Sequence, residues 1–120
     1  MASARGGPWT EGFLPLKPAW FHILLAFADG AQHGYAARSL VEERTEGRVK
    51  LWPATLYGSI RELSEEALIE ALEGHDDPDD DARRQYYRLT RRGSELLRAE
   101  ADRLQALVDA ARLSQALERA

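Results

Sequence analysis

The spacing of apolar residues changes at Leu68, and this change constrains the fold more than any other feature of the sequence. Before Leu68, apolar residues recur at helical intervals. After it, they alternate with polar residues as in a half-buried strand. The predicted order is three short helices, a strand, a hairpin tip, a returning strand and a long final helix. This order is that of a winged helix-turn-helix, a mainly α-helical fold with a two-stranded β wing.

Three helices are predicted before the change, over about residues 18–29, 33–45 and 53–66. Pro18 and Pro53 suit first-turn positions, and Asp29-Gly30 and Gly47 end the first two helices. The second helix has an inner stripe of Ala37, Leu40, Val41 and Arg44. The third has the clearest core stripe, with apolar residues at i, i+4, i+7 and i+11: Leu56, Ile60, Leu63 and Ala67.

The wing is predicted to consist of a strand over 68–73, a tip over 74–82 and a returning strand over 84–90. Thr90 can cap a final helix over about 91–117, roughly 40 Å long. The chain then divides into an N-terminal arm (1–18), a winged helix-turn-helix domain (19–90) and a C-terminal dimerisation helix (91–120). The arm is expected to be ordered only if Trp9, Phe13 and Leu14 dock on the body.

The final helix is longer than the body before it can cover. Its apolar stripe repeats every 3.5 residues on average, which favours a partner helix over folding back on its own core. The sequence therefore predicts a homodimer formed through Leu97, Ala101, Leu104, Leu107, Val108 and Ala111.

Composition excludes several other classes of protein. The 120 residues fit one domain, there is no cysteine, and no apolar run approaches the roughly 20 residues of a membrane span. No secretory signal is visible, so we predict a cytoplasmic protein without a membrane partner. The histidines have no metal-ligand spacing, and the acidic run 76–81 lacks the glycine and glutamate of a calcium loop. No catalytic or cofactor motif occurs. We therefore expect that the protein is not an enzyme and that it binds neither a cofactor nor a metal.

Charge is unevenly distributed along the chain. The net charge is -4, yet residues 83–92 hold five arginines and no acid, beside the acidic run. Arginine suits bidentate contacts to phosphates and guanine edges. Residues 30–61 hold five bases, Lys50 among them, against three acids. This local excess indicates a nucleic-acid interface within an acidic protein.

The outer face of the third helix is small or hydroxylated in its first half. It carries Ala54, Thr55, Gly58, Arg61, Glu62 and Glu65, with Tyr57 and Ser59 on the flanks. Such a face lets a helix backbone approach a groove floor. Arg61 can reach a guanine edge or a phosphate, and Thr55 and Ser59 suit phosphates or a thymine methyl. The alternative is a winged-helix protein-interaction module without DNA binding, which the overall acidity and the aspartate-rich tip favour.

Two segments carry a resemblance to a known family. PAWFHILLAFADGAQHGYAARSLVEERTEGRVKLWPATLYGSIRELSEEALIE is similar to the DNA-binding half of PadR-type transcriptional regulators. RRQYYRLTRRGSELL resembles the wing strand and the start of the last helix in that family. The resemblance covers about residues 13–100, and the single final helix is similar to the short subtype.

The resemblance implies a homodimeric repressor that binds double-stranded DNA. The segment 53–66 matches the recognition helix, Tyr35 and Tyr57 match positions near the DNA-facing helix junction, and Arg83 and Arg84 match the basic wing. The expected DNA-binding set is Tyr35, Lys50, Ala54, Thr55, Tyr57, Gly58, Ser59, Arg61, Arg83 and Arg84. Some members bind flat aromatic compounds beside a tryptophan of the last helix. Residues 91–120 contain no aromatic side chain. The resemblance therefore leaves open whether this protein responds to a small-molecule effector.

Overall fold

The structure, a computed structural model, describes residues 8–72 and 85–114. Four α-helices pack around a small antiparallel sheet, preceded by a short 3-10 helix. In chain order the elements are the 3-10 helix Pro8–Phe13, α1 (Pro18–Ala28), β1 (Gln32–His33), α2 (Gly34–Arg44), α3 (Pro53–Glu65), β2 (Ile69–Ala71), β3 (Tyr86–Leu89) and α4 (Arg91–Arg112). The mainly helical winged fold predicted from the sequence is confirmed.

The core forms where α1 meets the stripes of α2, α3 and α4. α1 is apolar on most sides and lies at the centre, with Ile23 and Leu24 fully buried. It ends where Gly30 takes a φ of 135°, a conformation that favours glycine. The buried apolar residues are Leu16, Trp20, Ile23, Leu24, Ala26, Phe27, Ala37, Val41, Leu51, Leu56, Ile60, Leu63, Leu68, Ile69, Leu96 and Ala99.

The sheet has three strands in the described residues, not the two that the sequence predicts. Its order is β1-β3-β2, with Gln32 opposite Tyr87 and Glu70 opposite Arg88. β1 is only two residues long, so it carries no alternation that a sequence pattern could register. It ties the entrance of α2 to the wing strand.

Two residues assigned to inner stripes lie outside them. Arg44 is exposed, and its guanidinium forms an ion pair with the exposed carboxylate of Asp29 at the end of α1. A charged side chain is more stable in this surface pair than in the apolar core. Ala67 is exposed with a φ of 58°, one residue beyond the helix cap. The Leu68 N–H then donates to the Leu63 carbonyl at 2.9 Å. This closes α3 and turns the chain into β2.

The final helix is capped as expected but ends earlier. The Thr90 hydroxyl accepts from the Gly93 N–H at 3.0 Å. The helix ends at Arg112, with Leu113 as its C-cap, and not near Leu117. Its 22 residues span about 33 Å. The first half packs on the body through Leu96, Ala99 and Glu100, whereas no residue of 101–114 is buried.

The described part of the N-terminal arm docks on α1 and α4. The rings of Trp9 and Phe13 lie 5.9 Å apart, and those of Phe13 and Trp20 lie 6.1 Å apart. The Arg92 guanidinium covers Trp9 at 4.0 Å from the ring centre. The three aromatic side chains therefore extend the core.

Candidate nucleic-acid interface

α3 presents two chemically different faces. Leu56, Ile60 and Leu63 are buried against the body. On the opposite side Ala54, Thr55 and Arg61 are exposed. This agrees with the helical spacing of the sequence, since residues three and four apart share a face. The outward face combines small side chains, a hydroxyl and a guanidinium.

The entrance of α2 fits closely against α3. A methyl group at Gly34 would lie 3.0 Å from Ile60 Cδ1 and 3.3 Å from Tyr57 Cε1. Just before it, His33 caps α2, its Nδ1 accepting from the Ala36 N–H at 3.0 Å. The segment His33-Gly34-Tyr35 thus determines how closely α2 packs against α3, the candidate recognition helix.

The two tyrosines expected at this junction have different surroundings. Tyr35 is 54% exposed, with the Arg38 guanidinium 5.7 Å from its ring centre. Tyr57 is half-buried, and its buried hydroxyl has no hydrogen-bond partner among residues 8–72 and 85–114. Burial raises the pKa of the neighbouring Tyr87, and Tyr57 raises it further. Tyr57 therefore supports the junction from inside, whereas Tyr35 lies on the surface.

Ser59 does not lie where a groove would reach it. The sequence places it on a flank of the outer face, but it is only 7% exposed. α3 packs on α1, α2 and the sheet, so its buried sector is wider than the apolar stripe alone. Gly58, beside it, is half-buried, with open space where a Cβ would stand.

Glu62, which follows Arg61 in the chain, lies against Trp20 and Lys17. Glu62 accepts a hydrogen bond from the Trp20 indole at 3.4 Å and lies 3.8 Å from the Lys17 ammonium. Arg61 is exposed and has no ion pair with any residue in 8–72 or 85–114. Lys50 pairs loosely with Glu42 at 3.9 Å. The arginine on the outer face is therefore free to meet an anion.

The wing is described in part. In β3, the Arg88 side chain lies 2.6 Å from the carboxylate of Glu70 on the paired strand. Arg83 and Arg84, the acidic run 76–81 and His75 lie outside the described residues. Their expected contributions stay predictions.

Two exposed residues beside α3, Arg48 and Trp52, are absent from the expected DNA-binding set, although Arg48 is one of the five bases counted over residues 30–61. Trp52 precedes the helix and is 65% exposed. Exposure alternates through 48–52, where Val49 and Leu51 face the body and the other three residues face solvent. The alternation visible at Val49 and Leu51 in the sequence, extended by one residue each way, would have identified both.

Most of the predicted dimerisation stripe lies along the uncovered part of α4, whereas Leu97 packs against the hydrophobic core. Leu107 is 55% exposed, and Val108 and Ala111 are exposed with it. Leu97 and Leu104 are half-buried, and Ala101 is exposed. α4 rests on the body through Leu96, Ala99 and Glu100 in its first half, and Leu107 continues the same side of the helix beyond the body.

Two other kinds of feature, a membrane span and a metal site, are absent from the described ranges. No helix there is long and apolar enough to span a bilayer. No group of three or more histidine, aspartate or glutamate side chains in 8–72 and 85–114 is placed to hold a metal ion.

A sequence model for a family of regulators matches most of this chain. The model is that of the transcriptional regulator PadR-like family, and it matches residues 23–99. An uncharacterized 37.1 kDa protein in transposon TN4556 of Streptomyces fradiae is 37% identical over 79 residues. That match covers 66% of this chain and 21% of that protein. The chain therefore spans about a fifth of the length of this relative.

Solved structures share the fold at lower identity. A transcriptional regulator from Clostridium thermocellum has a TM-score of 0.66 at 19% identity, covering 88% of this chain and 92% of that chain. RosR of H. salinarum has a TM-score of 0.60 at 23% identity, covering 82% and 79%. A PadR family transcriptional regulator from Eggerthella lenta has a TM-score of 0.59 at 21% identity, covering 86% and 81%.

Proposed function

Because the chain belongs to the PadR-like family of transcriptional regulators, we propose that it acts as a homodimeric, sequence-specific DNA-binding repressor. Each α3 would enter a major groove, and the two α3 helices would lie roughly 34 Å apart, one helical turn of DNA. This family consists of regulators and not of enzymes.

The observation that carries the proposal is the outward face of α3. Ala54 and Thr55 let the backbone approach the groove floor, and Arg61, which has no ion pair among the described residues, supplies a donor fork for a guanine edge. Glu62 lies against Trp20 and Lys17, whose ammonium group partly offsets its charge beside this face. Phosphate contacts would position the helix, and Arg61 would read sequence.

Dimerisation is supported by the uncovered half of α4. Leu107 and Val108 leave apolar surface in water, which a second copy of the helix would bury. Two α3 helices and two wings would then act together on one duplex. An effector that changed the angle between the two winged domains would change affinity. The proposal does not depend on one.

The test is fluorescence anisotropy with two labelled duplexes at two salt concentrations. One duplex comes from upstream of the protein's own gene, and the other is its scrambled sequence. We expect tighter binding to the first, falling steeply with salt as counterions are released. Failure to bind this duplex or any member of a random-duplex library would favour the protein-interaction module instead.

A further inference from the structure

The segment between α2 and α3 is fixed to the body along its length. At its start, the Val49 N–H donates to the Thr45 hydroxyl at 3.0 Å. Near its end, Arg38 Nε donates to the Leu51 carbonyl at 2.6 Å, and the Leu51 side chain is buried. The segment is not part of a helix or strand, yet its backbone has fixed partners in α2 and at the C-cap of that helix. Side chains that leave it outward are therefore held in place.

Three outward side chains follow one another along this segment. Because exposure alternates from 48 to 52, Arg48, Lys50 and Trp52 share the solvent side. We refer to these three residues as the linker row. It runs into the first turn of α3, where Ala54 and Thr55 begin the outward face. Two cations and an indole thus adjoin the proposed groove-entering surface.

The Trp52 side chain does not stabilise the fold within the described residues. Its backbone caps α3, but its side chain makes no capping hydrogen bond, and the residue is 65% exposed. The other tryptophans are engaged, Trp9 beneath Arg92 and Trp20 in the core. A large exposed indole has an apolar face and one N–H donor, which suits a partner that is both apolar and polar.

The charges around Trp52 favour DNA as that partner. Arg48 has no ion pair with any residue of the two described ranges. Lys50 has only a loose, exposed pair with Glu42 at 3.9 Å, which a phosphate can replace at little cost. Arginine and lysine side chains supply many of the phosphate contacts in protein–DNA interfaces.

We propose that the linker row is a second DNA contact, one that holds the sugar–phosphate backbone beside the groove entered by α3. Arg48 and Lys50 bind phosphates. Trp52 lays its indole on a deoxyribose and donates its Nε1–H to a phosphate oxygen. The inference rests on the proposed function, since it needs α3 to approach a duplex. These contacts carry no sequence information, and they fix the register of α3 on the DNA.

The probe is an unlabelled duplex of mixed sequence, about 25 base pairs long, enough for two half-sites one turn apart. Trp52 emission is isolated as the difference between the wild type and Trp52→Phe, and quenched with neutral acrylamide at low salt. We expect the duplex to reduce quenching of the Trp52 component at least about threefold, because the ring becomes covered. Emission from Trp52→Phe should keep its quenching constant.

The DNA affinities of single variants separate the role of Trp52 from that of the two cations in the linker row. In anisotropy measurements on the same duplex carrying a label, Trp52→Ala should weaken binding about tenfold, as expected for losing a hydrogen bond to a charged group. The slope of log affinity against log salt should stay unchanged. Arg48→Ala should weaken binding and also reduce that slope by about one. Arg98→Ala, an exposed arginine of α4, is the control for loss of one charge.

The possible failures are distinguishable. If the wild type binds the duplex but Trp52 stays fully quenchable and Trp52→Ala binds as tightly, the linker row is wrong and the proposed function stands. If Trp52 is protected by raising the protein concentration without DNA, the row is a contact between copies and the inference is overturned. If no duplex binds at low salt, the proposed function fails and the inference fails with it.

Discussion

At Gly93, α4 lies in close contact with Leu68 and with Leu89 of β3. A Cβ there would overlap the carbonyl of Leu68, with the carbonyl carbon at 2.9 Å and Leu89 Cδ1 also at 2.9 Å. Backbone cannot move aside as a side chain can. We therefore expect Gly93→Ala to lower the free energy of unfolding by roughly 1–3 kcal/mol, measured by urea denaturation.

The matched control is Gly58→Ala in the middle of α3. Nothing lies within 4 Å of a Cβ at this position. Because glycine weakens a helix interior, this change should raise stability by about 0.5–1 kcal/mol. Equal effects of the two substitutions would contradict the packing described for α4.

Glu100 is a buried carboxylate that ties the N-terminal arm to α4. Its side chain is only 3% exposed and accepts from the Leu16 N–H at 3.0 Å and from Arg103 Nη2 at 3.0 Å. The hydrogen bond from Arg103 lowers the pKa of Glu100, outweighing the burial that would raise it. The ionised carboxylate is therefore the form that stabilises the fold.

A lowered carboxyl pKa gives stability that is present above its ordinary value and lost as pH falls. The wild type should thus lose stability between about pH 5 and pH 3 more steeply than Glu100→Gln. The measurement is urea unfolding at several pH values. Parallel pH profiles for the two proteins would show that Glu100 contributes nothing ionic to folding.

At the scale of elements, α4 carries the prediction of dimerisation. Leu107→Asp should give monomers in sedimentation velocity, because it places a charge in the apolar interface. Leu107 is 55% exposed in the single chain, so its replacement removes little of the core. Ala106→Asp, on the opposite face of the exposed half, is the control and should remain dimeric. A dimeric Leu107→Asp protein would place the interface elsewhere.

An element could be predicted from the sequence when the residues that determine it lie within the element itself. α3 was predictable because Pro53 starts it and Leu56, Ile60 and Leu63 mark its buried side. β1 was not, because two residues acquire strand geometry only by pairing with β3, more than fifty positions later in the chain. The end of α4 was placed too late because apolar residues continue past Arg112, although the helix stops there.

In the candidate site, too, some residues were predictable from helical spacing, and others depend on how the elements pack together. Ala54, Thr55 and Arg61 followed from helical geometry and are exposed as expected. Ser59 did not, because its burial depends on how closely α1, α2 and the sheet surround α3. The contacts of Glu62 were also beyond the sequence, since they require Lys17 and Trp20 to lie beside it.

At the scale of the whole molecule, an acidic chain presents a locally basic surface. The net charge is -4, yet Arg48, Lys50 and Arg61 lie on the outward side of the helix-turn-helix. DNA binding by such a protein depends on where the charges are placed more than on their sum. A change at Arg61 should therefore differ from the same change of charge elsewhere.

The measurement that tests the central claim most directly compares Arg61→Ala with Arg98→Ala on a duplex that the wild type prefers. Both variants lose one exposed arginine, but only Arg61 lies on the outward face of α3, which we propose enters the groove. We predict that Arg61→Ala weakens binding roughly 10- to 100-fold and reduces the preference over scrambled DNA, whereas Arg98→Ala binds like the wild type. Wild-type affinity in Arg61→Ala, or an equal loss in both variants, would contradict α3 as the element that reads DNA.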